Sequence, residues 1–399
     1  MAHPIAVLEV GTSEVRVLVA EPREDGHLMI TGIGRTPSSG VRKSEVVDLE
    51  NAKICVKSAL LEAENNAQVS IQEVLLVYSG DHIRHLVNRG TVNVLSPDRV
   101  ITAEEREEVI ETARAVNLPH DHEILHSICG NYYIDDQPGV INPDGMVGSR
   151  LSLDMLILYG VSNRLRNLTR LADEASIEVT DQAFAGLCCG LSVLTPQQKE
   201  VGGILIDLGA GTTDFVVFSD KIIARAGSLG VGGDHVTNDL AVGLNLSTQQ
   251  AERLKVKYGA AMVDLGARGR RIPIPPETGF RAQEVLSRDV NTIMHARMEE
   301  IFELVKSRIG DEVLKRNFGA GVILTGGGAR MKRVQDLASR IFEMPCHVGY
   351  PKEVSGIAVP AECPEYASVV GMLKYGMRAM NDSPQGPLWS NLLRKVFGK

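Results

Sequence analysis

Two turns of small residues are the parts of this sequence best suited to hold a phosphate group. Each follows an apolar run rich in β-branched residues, the first after Ile5–Val10 and the second after Gly203–Leu208. Glycine lets backbone N–H groups approach a phosphate closely, and threonine and serine hydroxyls add donors. One such turn is usually only structural, whereas a duplicated pair is far more specific. The predicted phosphate-binding residues are Gly11, Thr12, Ser13, Gly209, Gly211, Thr212 and Thr213.

An acidic residue closes the apolar run before each turn. Glu9 stands before the first turn and Asp207 before the second. Magnesium keeps several waters and is commonly held through one or two carboxylates together with phosphate oxygens. Glu9 and Asp207 are therefore the predicted magnesium residues, acting through water.

A third glycine-rich element follows the strand-like run 321–324. Gly326, Gly327 and Gly328 come directly before a helix-like segment, Val334–Phe342. Three glycines allow a flat ligand to lie against the backbone, and the start of a helix favours negative charge. Taken alone, this element would be read as a loop.

A fourth element combines glycines with a charged pair on a later helix. Gly232, Gly233 and Asp234 begin one helix, and Glu252 and Lys255 stand three residues apart on another. This spacing places a carboxylate and an ammonium on one helical face, where they could hold a ribose hydroxyl and an adenine edge. The alternative is an ordinary surface salt bridge.

The elements that position these residues alternate between strands and helices, which predicts an α/β architecture. The repeated pattern of strand, small-residue turn and strand indicates an internal duplication and two similar lobes. Helical periodicity is clear in Glu104–Val116, Thr248–Tyr258 and Val290–Ile309. The third helix is predicted to bury one broad face, formed by Val290, Ile293, Met294, Ile301, Leu304 and Val305.

The stretch from Pro119 to Arg150 carries scattered proline, glycine, aspartate and asparagine, so it is predicted to be turn-rich and part of a small inserted unit. A strand is predicted directly after it, at Leu151–Tyr159.

Composition narrows the classes of function. The chain has 399 residues, more than a single core usually supports, and its formal net charge of −8 disfavours nucleic acid as a partner. The six cysteines show no metal-ligand spacing and are expected to be reduced, with no chemical role. Nowhere do about 18 apolar residues follow one another, so any membrane contact is expected at the surface.

The C-terminal segment is amphipathic and basic. Apolar pairs alternate with polar or basic pairs at helical spacing, and the only tryptophan of the chain lies here. This pattern is typical of a helix in the interface of an anionic membrane, with docking on the body or on a partner as the alternative. The predicted membrane residues are Leu388, Trp389, Leu392, Leu393, Arg394, Lys395, Val396 and Phe397.

The four glycine-containing elements, in the order given above, resemble the FtsA family of the actin, Hsp70 and sugar-kinase superfamily. The resemblance covers nearly the whole chain and implies an actin-like two-lobed ATPase fold with an FtsA-type inserted 1C subdomain and a C-terminal amphipathic helix. Besides the glycine-rich turns, it rests on Gly40, Val41, Val46–Glu50, Ser79–Arg84, Glu123–His126, Tyr133–Arg150, Val236–Asn238, Ala251–Gly259, Ile323–Gly328 and Tyr366–Gly376.

The resemblance also implies limits for the subdomains. They are 1–83, 164–199 and 357–380 for subdomain 1A, 84–163 for 1C, 200–229 and 302–356 for 2A, 230–301 for 2B, 381–387 for a linker and 388–399 for the terminal helix.

The expected function follows from the same family resemblance. The resemblance implies ATP and Mg²⁺ between the lobes, self-association into filaments, and attachment to the cytoplasmic face of the membrane at the division site. It further implies binding of the acidic C-terminal tail of the tubulin-like FtsZ, with Arg297 as the expected contact, and contacts with other division proteins. The alternative for Arg297 is a surface salt bridge with Glu300 or Glu303. The alternatives are a pilus-assembly relative of FtsA and a metabolic kinase of the same superfamily.

Two departures from the family pattern affect nucleotide use. The family usually has aspartate and lysine in the first phosphate turn, whereas this chain has Glu9 and Glu14. Ala185 aligns with the position at which actin-like hydrolases carry a residue that orients water. Because negative charge near a triphosphate is unfavourable and alanine offers no hydrogen bond, slow or unmeasurable ATP hydrolysis is expected.

Overall fold

The computed structural model describes residues 4–23, 26–263, 269–357 and 362–381. The strands are β1 (Ile5–Val10), β2 (Glu14–Pro22), β3 (Leu28–Pro37), β4 (Val41–Arg42), β5 (Glu45–Val46), β6 (Glu73–Tyr78), β7 (Arg84–Asn93), β8 (His122–Ile134), β9 (Gln137–Val140), β10 (Arg150–Val161), β11 (Glu178–Phe184), β12 (Gly203–Leu208), β13 (Thr213–Ser219), β14 (Ile222–Leu229), β15 (Arg271–Ile274), β16 (Gln283–Leu286), β17 (Val322–Thr325), β18 (Cys346–Val348) and β19 (Val354–Gly356). The α-helices are α1 (Leu49–Ala67), α2 (Ala103–Arg114), α3 (Ser162–Glu174), α4 (Ala185–Val193), α5 (Pro196–Glu200), α6 (Gly233–Leu244), α7 (Thr248–Tyr258), α8 (Ser287–Ile309), α9 (Asp311–Leu314), α10 (Val334–Phe342) and α11 (Ala367–Asn381).

Two sheets with the same plan form the two lobes. The first has the order β11-β6-β1-β2-β3-β19 and the second the order β14-β13-β12-β17-β18. In each, three antiparallel strands continue into parallel neighbours, β6 beside β1 and β17 beside β12. The first sheet and one face of the second sheet contribute to one buried apolar cluster, and the other face of the second sheet contributes to another. The predicted α/β class and the duplication of two lobes are confirmed.

The duplication extends to the strand register. Glu9 lies directly opposite Arg16 in the β1–β2 hairpin, and Asp207 lies opposite Asp214 in the β12–β13 hairpin. The two members of each pair are separated by an equivalent turn. The two hairpins therefore bring corresponding side-chain positions to the space between the lobes.

The inserted unit is a sheet of order β7-β10-β8-β9 covered by α2, with a third apolar cluster of its own. A capping box at Thr102 and Glu105 begins α2. The prediction of a turn-rich stretch at 119–150 missed β8, which runs for 13 residues through it. Its buried apolar residues belong to two different clusters, Ile128 to the first and Tyr132 and Ile134 to the third, so the sequence lacks the strict alternation typical of a half-buried strand.

Helix α8 buries a somewhat different face from the predicted one. Leu304 is 38% exposed, while Met298 and Phe302 are buried. The predicted limit between residues 301 and 302 falls inside this continuous helix. In the part of the chain that the structure describes, no helix is long and apolar enough to cross a bilayer.

Candidate functional site

A cavity of about 360 Å³ lies between the two lobes. This volume is within the range of small-molecule and cofactor sites. The four glycine-rich elements, far apart in sequence, meet around it. The predicted residues that line it are Glu9, Gly11, Thr12, Ser13, Asp207, Gly209, Gly211, Thr212, Gly233, Glu252, Lys255, Gly326, Gly327 and Gly328.

The two phosphate turns have the same local geometry. The Gly11 N–H donates to the Glu14 carbonyl at 3.1 Å, and the Gly209 N–H donates to the Thr212 carbonyl at 3.0 Å. A Cβ at either glycine would lie within 2.8 Å of that carbonyl oxygen, so both positions require glycine. A Cβ at Gly211 would lie 2.3 Å from Thr12 Oγ1, so the two turns approach each other across the cavity.

The short β4–β5 hairpin joins the two turns, and its sequence did not predict this role. The Ser44 N–H donates to Thr12 Oγ1 at 2.8 Å, and Ser44 Oγ lies 3.3 Å from Thr212 Oγ1. Lys43 and Ser44 have φ values of 52° and 60°, as tight hairpin turns require. Ser44 is buried and lines the cavity, so a third hydroxyl stands at its phosphate end.

The triple glycine combines two packed positions with one open position. Gly326 has φ 79°, and a Cβ there would lie 2.1 Å from Asp207 Oδ1. A Cβ at Gly328 would lie 2.7 Å from Leu208 Cβ. At Gly327 a Cβ would meet nothing within 4 Å. Gly327 therefore leaves free backbone surface for a ligand.

Glu252 and Lys255 form the salt bridge that was the alternative interpretation, and they also line the cavity. Lys255 Nζ lies 2.7 Å from Glu252 and donates to Thr237 Oγ1 at 2.8 Å and to the Gly233 carbonyl at 3.1 Å. This network ties α7 to the start of α6, so the pair is held in place beside the glycine turn.

Three predicted nucleotide-binding residues lie just behind the cavity wall. Thr213 is buried, and its hydroxyl donates to the Val231 carbonyl at 2.8 Å. The Gly232 N–H donates to His235 Nδ1 at 3.2 Å. Asp234 borders a neighbouring pocket with Arg42 and Lys43, and burial raises the pKa of its carboxyl. These residues shape the wall without facing the cavity.

Two carboxyls of the second hairpin, the half-buried Asp207 and the buried Asp214, have raised pKa values. Burial, and then the negative charge of Glu9, raises the pKa of Asp207 to about 6. Burial, and then the charge of Asp207, raises the pKa of Asp214 to about 8, so its carboxyl is mostly protonated at neutral pH. Asp214 lines the cavity and accepts a hydrogen bond from Ser79 Oγ at 2.7 Å, a contact that the sequence pattern did not reveal.

The adjacent cysteines 188 and 189 are buried, as expected for core thiols. The thiol of Cys189 donates to Asp207 Oδ2 at 3.3 Å. The prediction that these cysteines have no chemical role therefore missed this contact. The contact helps to fix the orientation of the Asp207 carboxylate.

Arg16 is another residue of the site that the sequence did not reveal. Its guanidinium pairs with both Glu9 and Glu14, at 3.0 and 3.1 Å. The negative charge of Glu14 is therefore opposed within the protein. Ala185 is the first residue of α4, is buried and lines the cavity with a methyl group only.

Comparison with known proteins decides the family. The chain is 35% identical to the cell division protein FtsA of Pseudomonas aeruginosa, over 99% of this chain and 97% of that protein. It is 33% identical to FtsA of Neisseria meningitidis, over 96% and 92% of the two chains. The chain belongs to the FtsA family of cell division proteins.

Two family profiles agree with this membership. The profile described as cell division protein FtsA matches residues 204–371, and that of the SHS2 domain inserted in FtsA matches residues 80–159. The second match covers most of the predicted subdomain 84–163. The exact subdomain limits remain predictions.

Solved structures show the actin-like fold more widely. The PilM–PilN type IV pilus biogenesis complex gives a TM-score of 0.66 at 14% identity, with 94% of this chain and 98% of that chain covered. MreB5 of Spiroplasma citri bound to AMPPNP gives a TM-score of 0.56 at 14% identity, with 96% and 98% covered. At such identities the likeness shows the fold alone.

Two further predictions for an FtsA-family chain concern its surface. Arg297 on α8 donates to both carboxylate oxygens of Asp239, at 2.6 and 3.1 Å, and pairs with Glu300. The predicted membrane residues 388–397 lie outside the residues that the structure describes.

Proposed function

We propose that this protein binds ATP between its lobes, polymerises on the cytoplasmic membrane at the division site and tethers FtsZ filaments there. The observation that carries the proposal is the inter-lobe cavity, in which duplicated phosphate turns meet a glycine-rich wall, in a chain of the FtsA family. The membrane and FtsZ parts rest on the family and on the terminal sequence.

The lining residues fit a nucleoside triphosphate. The turns 11–13 and 209–212 offer backbone N–H groups and hydroxyls to phosphate oxygens, which they approach because their glycines have no side chain. Gly327 leaves backbone surface open for a base, and Glu252 and Lys255 offer polar contacts to ribose and base edges. A neighbour with the same fold is a structure bound to AMPPNP, which supports ATP as the ligand.

Magnesium fits the site through water. Among the described residues, no group of three or more histidine, cysteine, aspartate or glutamate side chains could hold a metal ion. Two carboxylates, Glu9 and Asp207, line the cavity. Mg²⁺ is commonly held in this way, by one or two carboxylates together with water and substrate phosphates, and it would supply charge neutralisation between the phosphates.

Slow hydrolysis follows from the same geometry. Phosphoryl transfer to water needs a positioned nucleophile and stabilised charge. Ala185 lines the cavity and offers no hydrogen bond to a water. Bound ATP would instead favour the assembly-competent arrangement of the lobes by differential affinity, without turnover.

The cell-division function is favoured over the two alternatives. The pilus complex shares the fold at 14% identity, whereas an FtsA relative matches at 35% over nearly the whole chain. A metabolic kinase needs a carboxylate base facing an acceptor substrate. Among the carboxyls that line the cavity, Asp214 does not supply such a base, because it is mostly protonated and accepts a hydrogen bond from Ser79.

Co-flotation with FtsZ tests the proposal. FtsZ polymers, this protein and ATP are mixed with vesicles rich in anionic lipid, and the floated fraction is analysed. FtsZ is expected to float only when this protein is present, because the protein would bind lipid and FtsZ at once. FtsZ that stays at the bottom in the complete mixture, while this protein floats, would refute the tethering function.

Arg297 is proposed to contact the acidic tail of FtsZ. Leu304, seven residues later on the same face of α8, is exposed, so a basic group and an apolar side chain stand together. Replacing Arg297 with glutamine is expected to weaken binding of the tail peptide by about threefold to tenfold in low salt, since a surface charge contributes about 1 kcal/mol. Fluorescence anisotropy of a labelled peptide measures this affinity.

Two variants control this prediction. Arg288→Gln removes an exposed arginine from the same helix and should leave the affinity unchanged. Asp239→Asn removes the carboxylate that now holds Arg297 and should strengthen tail binding. If Arg297→Gln and Arg288→Gln behave alike, the tail binds elsewhere.

A further inference from the structure

Arg16 makes three hydrogen bonds at the edge of the cavity and keeps part of its guanidinium available. Its Nη1 donates to Glu9 Oε2 and to the Glu365 carbonyl, both at 3.0 Å, and its Nε donates to Glu14 Oε2 at 3.1 Å. Nη2 makes no hydrogen bond with any residue that the structure describes, and the side chain is 17% exposed. Two N–H groups therefore remain for a ligand.

The other cations of the described cavity wall are already committed or lie elsewhere. Lys255 is bonded to Glu252, Thr237 and the Gly233 carbonyl. Arg330 pairs with Glu365 at 2.9 Å, and Lys332 donates to the Lys257 carbonyl at 3.4 Å. None of the three is part of a hairpin that carries a phosphate turn.

Arg16 differs from them because it belongs to the first hairpin. It lies opposite Glu9, which precedes the turn at Gly11, and Glu14 is two residues before it on the same face of β2. Two carboxylates thus hold one guanidinium beside the phosphate turn. The remaining nitrogen, Nη2, carries two N–H groups of a charged guanidinium, and charge-assisted donors of this kind suit phosphate oxygens.

We propose that Arg16 is the residue that distinguishes ATP from shorter nucleotides, by binding the outer phosphates with its free amino group. Glu9 and Glu14 position Arg16 for this contact and offset its charge before the nucleotide enters. The inference rests on the proposed nucleotide site and names the specificity residue within it.

Isothermal titration with ATP, ADP and AMP tests the assignment. Arg16→Ala is expected to weaken ATP binding by about 10-fold to 100-fold, as loss of a charged hydrogen bond does, with a smaller effect on ADP and none on AMP. Arg35→Ala is the matched control, because Arg35 lies opposite Arg16 on β3 but does not line the cavity. An equal loss for all three nucleotides, or no loss, would overturn the proposal.

Substitutions of Glu14 in the Arg16→Ala variant show whether Arg16 binds phosphate or only neutralises the negative charge of Glu14. Glu14→Lys restores a cation on the same strand face and should recover most of the lost ATP affinity. Glu14→Ala only removes the unpaired carboxylate and should recover little. Equal recovery by both would mean that Arg16 merely neutralises Glu14, which overturns the proposal.

Thermal unfolding without nucleotide shows whether each variant is folded, and Arg16→Lys retains a cation if Arg16→Ala is too unstable to titrate. Arg16→Lys is then expected to keep part of the ATP preference. A folded parent protein that binds none of the three nucleotides would refute the proposed function itself, a result distinct from a parent that binds ATP without help from Arg16.

Discussion

Replacing Gly327 with aspartate is expected to weaken ATP binding by at least about 100-fold while leaving the protein folded. An aspartate here adds a negative charge beside the bound nucleotide, and at an effective dielectric constant of about 20 a carboxylate about 6 Å from a phosphate costs about 2.8 kcal/mol, which corresponds to about 100-fold in affinity. The fold should tolerate the change, because a Cβ at this position meets nothing within 4 Å. Calorimetric titration with ATP, together with thermal unfolding of the free protein, measures both effects.

Two neighbouring substitutions separate charge from size. Gly327→Asn has a side chain of the same size without the charge, so it should lose much less affinity than Gly327→Asp. Gly328→Ala should lower the stability of the protein itself, because its Cβ would lie 2.7 Å from Leu208 Cβ. Equal ATP affinity in Gly327→Asp and the parent would place the nucleotide somewhere other than this cavity.

The two glycine-containing turns could be predicted as turns between strands because their signals are local. An apolar β-branched run followed by glycine and hydroxyl residues predicts both a strand and its turn. The second copy of the pattern favours an internal duplication over a single structural turn. The three predicted helices appear within a few residues of their expected ends for the same reason, since each has a clear 3.6-residue period.

Arg16 and Asp214 could not be found in this way, because their roles depend on what lies across the sheet. A charged residue within a strand normally faces water, and nothing local shows that β1 places Glu9 opposite Arg16 or that Ser79 reaches Asp214. The raised pKa of Asp214 likewise comes from burial between lobes that are distant in sequence. A comparison of the two hairpins position by position would have drawn attention to both residues.

The effect of Glu14 on nucleotide binding shows how one missed contact alters a conclusion. On its sequence position alone, Glu14 brings negative charge to the phosphate end. In the structure that charge is balanced by Arg16 at 3.1 Å, so the net repulsion is reduced and nucleotide binding is easier to reconcile with the turn. Ala185 lines the cavity with a methyl group only, and the expectation of slow hydrolysis therefore rests mainly on Ala185.

Deleting residues 387–399 is expected to abolish binding to anionic vesicles and to leave ATP binding unchanged. The segment carries the apolar pairs Leu388–Trp389, Leu392–Leu393 and Val396–Phe397 between polar and basic residues. Each apolar side chain contributes up to roughly 1.5–3 kcal/mol when fully buried, and anionic lipid adds about 1 kcal/mol for each lysine or arginine near the surface. The described residues alone supply three large apolar clusters, so the body is expected to stay folded after the deletion.

Vesicle flotation of three proteins tests this last prediction and separates its two energy terms. The deletion should remain at the bottom of the gradient at every salt concentration. The double variant Arg394→Glu and Lys395→Glu should lose binding to anionic vesicles through the electrostatic term, whereas binding of the parent should fall as salt screens that attraction. Polymerisation would increase each difference in vesicle binding between the parent and the altered proteins, since neighbouring subunits present their helices at high effective concentration. A deletion that floats like the parent would show that the membrane contact lies on the body of the protein, and the terminal segment would then be assigned to docking on a partner.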